Sequence, residues 1–159
     1  AAAKAGAAVV HVDAAKGMVA QAKENAALSG LSDAPIRYIV DDCKKFVERE
    51  IRRGNKYDAM MMDPPSYGRG PSGEGWKIED SADERITLTA KLLSDDPLFF
   101  LLNSYTTGLS ASTMKYITDS RLLNRWNGYS EADELGLPVK ESGLALPCGS
   151  SVRVSFGRF

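Results

Sequence analysis

Cysteine and histidine are scarce in this chain: Cys43, Cys148 and a single histidine, His11, among 159 residues. None stands at metal-ligand or disulfide-framework spacing, so neither a zinc site nor a disulfide scaffold is expected, and no metal is assigned. His11 lies inside the apolar run AAVVHVD and reads as a packed strand residue. There is no apolar run near the roughly 20 residues that a bilayer span needs, and no charged, apolar, small-residue leader. No membrane partner is expected, and the cytoplasm is the expected compartment. An excess of one charge is missing too, with 20 Lys and Arg against 21 Asp and Glu. The chain as a whole is therefore not the basic object a nucleic-acid binder usually is, and any contact with RNA falls to a local patch. Apolar residues are present in ordinary measure, 43%, enough for one domain with its own core, expected over residues 1–159.

Short β-branched or apolar runs alternate with longer helical patterns, which is the signature of β-α-β units around a parallel sheet. AAVVHVD precedes a helix from Ala14 to about Leu28, with Met18, Val19, Ala22 and Ala26 at inward spacing and Ser29–Gly30 as its stop. IRYIV leads into CKKFVEREIRRGNK, where Phe46, Val47 and Ile51 can face inward and Glu48 and Glu50 interrupt a basic outer face. YDAMMM is followed by a proline-glycine loop and a helix through ITLTAKLL. LFFLL is apolar throughout and is expected to be buried on both faces. After the helix ASTMKYITDSRLL, runs at Glu131–Val139 and Leu144–Phe156 read as two closing strands. The opening AAAKAGAA favours helix by propensity. The fold class expected is α/β, Rossmann-like, mostly parallel with a carboxyl-terminal antiparallel hairpin.

Three successive strands end in acid: Asp13, then Asp41 and Asp42, then Asp63. In an open parallel sheet ligands bind at the carboxyl ends of the strands. A strand-end aspartate before a helix can accept the ribose hydroxyls of a nucleotide-like cofactor, and one strand over a second can hold an adenine amino group. Aspartate is also a common helix cap at such turns, so each acid alone has a purely structural explanation.

MMMDPPSYGRGPSGEGW separates the options. Pro64 and Pro65 cannot continue a sheet ladder, having no amide hydrogen, and the strand must stop at Asp63. With Asp63, Pro64, Pro65, Ser66 and Tyr67 the chain resembles the class I S-adenosylmethionine-dependent methyltransferases, in particular the branch that modifies bases of large-subunit ribosomal RNA. VDAAKGMVAQAKENAALSGL and IVDDCKKFV look like that family's second strand with its helix and its third strand with its turn. The resemblance covers about Ala8 to Leu109. It implies S-adenosylmethionine as cofactor and RNA as partner, with Asp13, Ala14, Asp41, Asp42 and Cys43 on the cofactor side. Asp63, Pro64 and Tyr67 become the catalytic group. The stiff turn aims a main-chain carbonyl and the Asp63 carboxylate at an exocyclic amino group, and Tyr67 stacks on a base drawn from its helix. Ser66, Trp76, Lys77, Asn103, Ser104 and Tyr105 are the expected substrate contacts, with Trp76 and Lys77 carried on a glycine-rich flap.

Two departures from the family matter. Methylation at carbon 5 of cytosine needs a thiolate nucleophile, and LLNSYTTG has no cysteine where such relatives carry one; Cys148, in ALPCGSS, is a distant substitute. Nitrogen methylation is therefore expected. The family's first strand and glycine-rich turn do not precede Asp13, so a fragment or a degenerate domain is expected, binding S-adenosylmethionine weakly by itself. The basic run Lys44, Lys45, Arg49, Arg52, Arg53 and Lys56 reads either as an RNA patch or as a solvated helix face. Two other functions stay open: a non-catalytic Rossmann-like domain that binds RNA or protein, and a nucleotide-dependent oxidoreductase.

Overall fold

The computed structural model describes residues 1–69 and 75–157. The chain divides into two compact units, Ala1–Arg53 and Gly54–Phe159.

In the first unit the alanine-rich start forms only a short 3-10 turn, Ala3–Ala5, closed by Gly6 at φ 94°. Valines then favour extended chain in β1 (Val9–Asp13). Alanines and long side chains lose little freedom in a helix, and α1 (Lys16–Leu28) follows, stopped by Gly30 at φ 71°. Of its expected inward residues Val19 is buried and Ala22 and Ala26 are half-buried, but Met18 is 53% exposed. β2 (Ile36–Val40) pairs in parallel with β1, in register from Val9 opposite Ile36 to Asp13 opposite Val40. That register brings Asp13 and the acids just after β2 to the same end of the pair. α2 (Cys43–Arg53) buries Phe46 and Val47 as expected. It also buries Glu50, which its charge had placed on the solvated face; Arg53 pairs with that carboxylate at 2.9 Å, compensating the charge taken from water.

The second unit opens with β3 (Ala59–Met62), stopped by the prolines. The stretch beyond them is more ordered than a loop: β4 (Tyr67–Arg69) and β5 (Gly75–Lys77) form an antiparallel ladder, Tyr67 opposite Lys77. The glycine-rich flap expected at 70–74 lies outside the described residues. α3 (Ile78–Ala90) starts directly from β5. β6 (Phe99–Ser104) lies parallel to β3, and α4 (Ala111–Leu122) follows, its first turn capped by the Ser110 hydroxyl accepting from the Thr113 amide. The long hairpin of β7 (Gly128–Pro138) and β8 (Ala145–Phe156) completes a four-stranded sheet in the order β3-β6-β8-β7, with β8 antiparallel to both neighbours. The closing antiparallel hairpin matches the sequence expectation.

One face of this sheet carries the core. Phe100 and Leu102 of β6 and Val152 and Val154 of β8 pack with Ile78, Ala82, Ile86 and Ala90 of α3 and with Met114 and Leu122 of α4. Burial along β6 alternates, with Phe99 and Leu101 only half-buried and Leu98 63% exposed. The expectation that LFFLL is buried on both faces is therefore corrected: an unbroken apolar run does not reveal that alternate residues only are buried against α3 and α4. Among the described residues, β1 pairs only with β2 and β3 only with β6.

Candidate active site

Residues expected on the acceptor side meet at the carboxyl ends of β3 and β6. The parallel register ends at Met62 opposite Leu102, so the next residue on each strand is Asp63 on one and Asn103 on the other. Asp63 is exposed, and Pro64 and Pro65 turn the chain away from the sheet. The Ser66 carbonyl accepts the Ile78 amide at 3.0 Å, tying the proline turn to the start of α3. Tyr67 is 78% exposed on β4, and Lys77 is exposed opposite it on β5. A large aromatic held in water on a short paired strand is a ready stacking surface. Trp76 lies opposite Gly68 in the same ladder.

Near the end of β6, Asn103 accepts the Ser151 hydroxyl at 2.8 Å. Ser104 is buried and its hydroxyl accepts the Thr106 amide at 3.4 Å, so this expected substrate contact turns into the protein. Tyr105 turns outward and is half exposed. Its ring lies directly on Gly149 of β8, where an added Cβ would stand 2.8 Å from Tyr105 Cδ1 and 2.6 Å from the Ser104 carbonyl oxygen. The phenol is held above its ordinary value, first by loss of surrounding water, then by the charge of the Asp63 carboxylate and the hydrogen bond it accepts; nearby Cys148 adds to the effect and a hydrogen bond with Asn103 opposes it. Tyr105 thus stands where the Asp63 carboxylate and the Asn103 side chain both act on its phenol. The half-buried Cys148 thiol donates to the Leu135 carbonyl at 3.4 Å.

The residues expected on the cofactor side, all in the first unit, are engaged locally to different degrees. Asp13 Oδ1 accepts the Ala15 amide at 2.7 Å, holding the turn at exposed Ala14, while its other oxygen has no partner among the described residues. Asp41 is committed on both sides, accepting the Asp42 amide at 2.9 Å and pairing with Arg49. The Arg49 hydrogen bond holds the Asp41 carboxyl below the usual carboxylate range. Asp42 caps α2 by accepting the Lys45 amide at 2.9 Å. Cys43 is exposed at the first position of α2, its thiol 3.7 Å from the Val12 carbonyl.

His11 is half-buried against the Tyr38 ring, and its Nε2 has no hydrogen-bond partner among the described residues. The basic run is partly spent on structure, since Arg49 and Arg53 are in ion pairs and Lys56 donates to the Lys91 carbonyl at 2.8 Å. Among the described residues no three of His, Cys, Asp or Glu are grouped to hold a metal ion, and no helix is long and apolar enough to cross a membrane. Sequence reasoning missed Gly149 and the Glu79–Thr106 pair, whose hydroxyl-to-carboxylate bond is 3.0 Å; each depends on contacts between segments remote in sequence. It placed Arg49 in the basic run without seeing its pairing with Asp41.

No protein-family model matches the chain. It is 31% identical over 87 residues to the ribosomal RNA large subunit methyltransferase K/L of Shewanella frigidimarina, covering 54% of this chain and 12% of that protein. It is 33% identical over 59 residues to the ribosomal RNA large subunit methyltransferase I of Aeromonas hydrophila, covering 37% of this chain and 15% of that one. Among solved structures, the SAM-dependent methyltransferase from Agrobacterium tumefaciens superposes with a TM-score of 0.83 at 36% identity, over 96% of this chain and 50% of its own. The chain therefore spans a small part of the curated relatives and half of that structure. It has the Rossmann-like fold of the class I methyltransferases and is related to those of large-subunit ribosomal RNA.

Proposed function

We propose that this relative of the large-subunit ribosomal RNA methyltransferases is part of one methyltransferase domain that moves a methyl group from S-adenosylmethionine to a nitrogen of a nucleic-acid base, in ribosomal RNA. The observation that carries the reading is the group of Asp63, Asn103 and Tyr105 at adjacent strand ends, beside a proline turn that cannot be drawn back into the sheet. Bound S-adenosylmethionine supplies a methyl on a sulfonium that needs no further activation, so the protein's task is to align the acceptor. Asp63 and a main-chain carbonyl of the turn at Pro64 accept the hydrogens of an exocyclic amino group and orient its lone pair. Tyr67 stacks on the extruded base, and Ser66, Trp76 and Lys77 border it. Tyr105, beside Asn103, faces the Asp63 carboxylate.

On the cofactor side Asp13 is the acid with an uncommitted oxygen, and it fits the ribose hydroxyls. Asp41 is held by Arg49, and Asp42 caps a helix. Their part is to shape the turn that sets Ala14 and the Cys43 backbone beside the adenosine. Nitrogen is favoured over carbon because Asn103 and Ser104 at the end of β6 and Tyr105 just after it bring no thiol, and the Cys148 thiol is donated to the Leu135 carbonyl.

The test is Asp63→Ala in the full-length protein. Methyl transfer to large-subunit ribosomal RNA should fall on the order of 100-fold or more, as when a preorganised group at the reacting centre is removed. S-adenosylmethionine affinity by calorimetry should stay within about threefold. Equal loss of both would move Asp63 to the cofactor side, and an active wild type with an equally active variant would remove it from the chemistry.

A further inference from the structure

Two segments carry the acceptor-facing groups, Asp63–Tyr67 and Asn103–Tyr105, and one carboxylate outside both links them. Glu79 stands in the first turn of α3, immediately after Ile78, whose amide is taken by the Ser66 carbonyl. Its Oε1 accepts the Thr106 hydroxyl at 3.0 Å, across 27 positions of sequence. The same oxygen would lie 2.6 Å from a Cβ added at Gly108, so the loop after β6 passes hard against the carboxylate because residue 108 has no side chain. Two independent features, a hydrogen bond and a close backbone approach, therefore fasten Tyr105's loop to the helix that begins where the proline hairpin ends. Glu79 also receives its own backbone amide, and these bonds, that amide first and Thr106 second, hold it below the usual carboxylate range and keep it charged.

From this geometry we infer that Glu79 is a positioning residue for the acceptor: through Thr106 it fixes the loop that carries Tyr105 relative to the proline turn. The inference rests on the methyl-transfer reading above. Glu79 touches neither substrate nor cofactor in this role. A displaced group at the reacting centre lowers turnover far more than it lowers cofactor affinity.

The experiment uses Glu79→Ala, Glu79→Gln and Thr106→Val in the full-length protein, assayed by transfer to large-subunit ribosomal RNA. Glu79→Ala and Thr106→Val should each lower kcat by about tenfold with the KM for S-adenosylmethionine unchanged, and Glu79→Gln, which keeps an acceptor for Thr106, should recover most of it. In a Tyr105→Phe background Glu79→Ala should add little, because it acts through Tyr105. A full further loss there, or failure of the Gln variant to rescue, overturns the inference. Labelled-tyrosine NMR gives a readout that does not need turnover: Glu79→Ala should move the Tyr105 ring signals while those of Tyr38 stay still. Unmoved Tyr105 signals overturn the inference even if activity falls. A wild type that transfers no methyl group fails the functional reading instead, and the NMR arm still decides whether Glu79 places Tyr105.

Discussion

The two units of this chain use the same device, an aspartate at the end of a parallel strand, for different ends. In Ala1–Arg53 the acids are largely spent on the backbone and on a neighbour: Asp13 on the Ala15 amide, Asp41 on Arg49, Asp42 on the first turn of α2. In Gly54–Phe159 the prolines remove the helix start that Asp63 would otherwise cap, and the exposed carboxylate acts on the Tyr105 phenol, whose pKa it helps raise. The packing differs in parallel. The buried apolar side chains of the first unit are Val19, Phe46 and Val47, whereas the second buries a continuous cluster from Ile78 to Phe156 among the described residues. Strand-end chemistry alone does not say whether an acid serves the fold or a ligand; the partners each carboxylate finds must be known as well.

The sharpest way to break this contrast is through the cores. Phe100 is fully buried at the centre of the second cluster, and Phe100→Ala should cost about 3–5 kcal/mol in urea unfolding. Phe46 is 7% exposed, and the Arg49 guanidinium lies 5.9 Å from its ring centroid. The site can collapse onto that long side chain, so Phe46→Ala should cost less, about 2–3 kcal/mol. Native-state hydrogen exchange should show β1 and β2 amides opening at lower free energy than those of β6 and β8. Equal costs and equal protection would remove the packing half of the comparison.

That contrast also explains what could be read from the sequence. The stop at Asp63, the closing hairpin and the acids at the strand ends were legible, because proline chemistry, β-branched runs and helix starts are local properties. The burial of Glu50 was not, since the distribution of charge along α2 points outward and its pairing with Arg53, which helps make the inward position tolerable, is not marked in the sequence. Nor was the alternate burial along β6, because LFFLL carries no mark of which residues meet α3 and α4. At the site, Asp63 and Asn103 were identifiable as strand-end residues. The seat of Tyr105 on Gly149 was not, because it joins a loop to a strand 44 positions away.

The second test concerns that seat. Gly149→Ala would place a methyl group 2.8 Å from Tyr105 Cδ1 and 2.6 Å from the backbone oxygen of Ser104. The ring can move aside more easily than the strand can, so the expected loss of stability is about 1–3 kcal/mol, the range for overpacking. The informative result is electrostatic. If Tyr105 leaves Asp63, its phenol should titrate closer to its ordinary value of 10.0, followed by NMR of labelled tyrosine. A phenol that stays high in the variant would mean that Gly149 does not set the pairing, and the acceptor group would have to be held by β6 alone.

The smallest effect sharpens the first unit. The Asp41 carboxyl is held below its unperturbed value of 3.8, chiefly by Arg49. A depressed carboxylate adds stability above its unfolded value, and the contribution disappears as pH falls through the lower folded value. Acidification below about pH 4 should therefore loosen the turn after β2. Asp83, held low chiefly by its Arg121 hydrogen bond, should lose its tie between α3 and α4 over a similar range. Arg49→Ala separates the two: the acid-dependent change in β1 and β2 exchange should shrink, while that of α3 and α4 persists. If Arg49→Ala leaves the first unit's pH response intact, Asp41 is not held by the arginine in solution, and it would rejoin Asp13 as an acid available to a bound nucleoside.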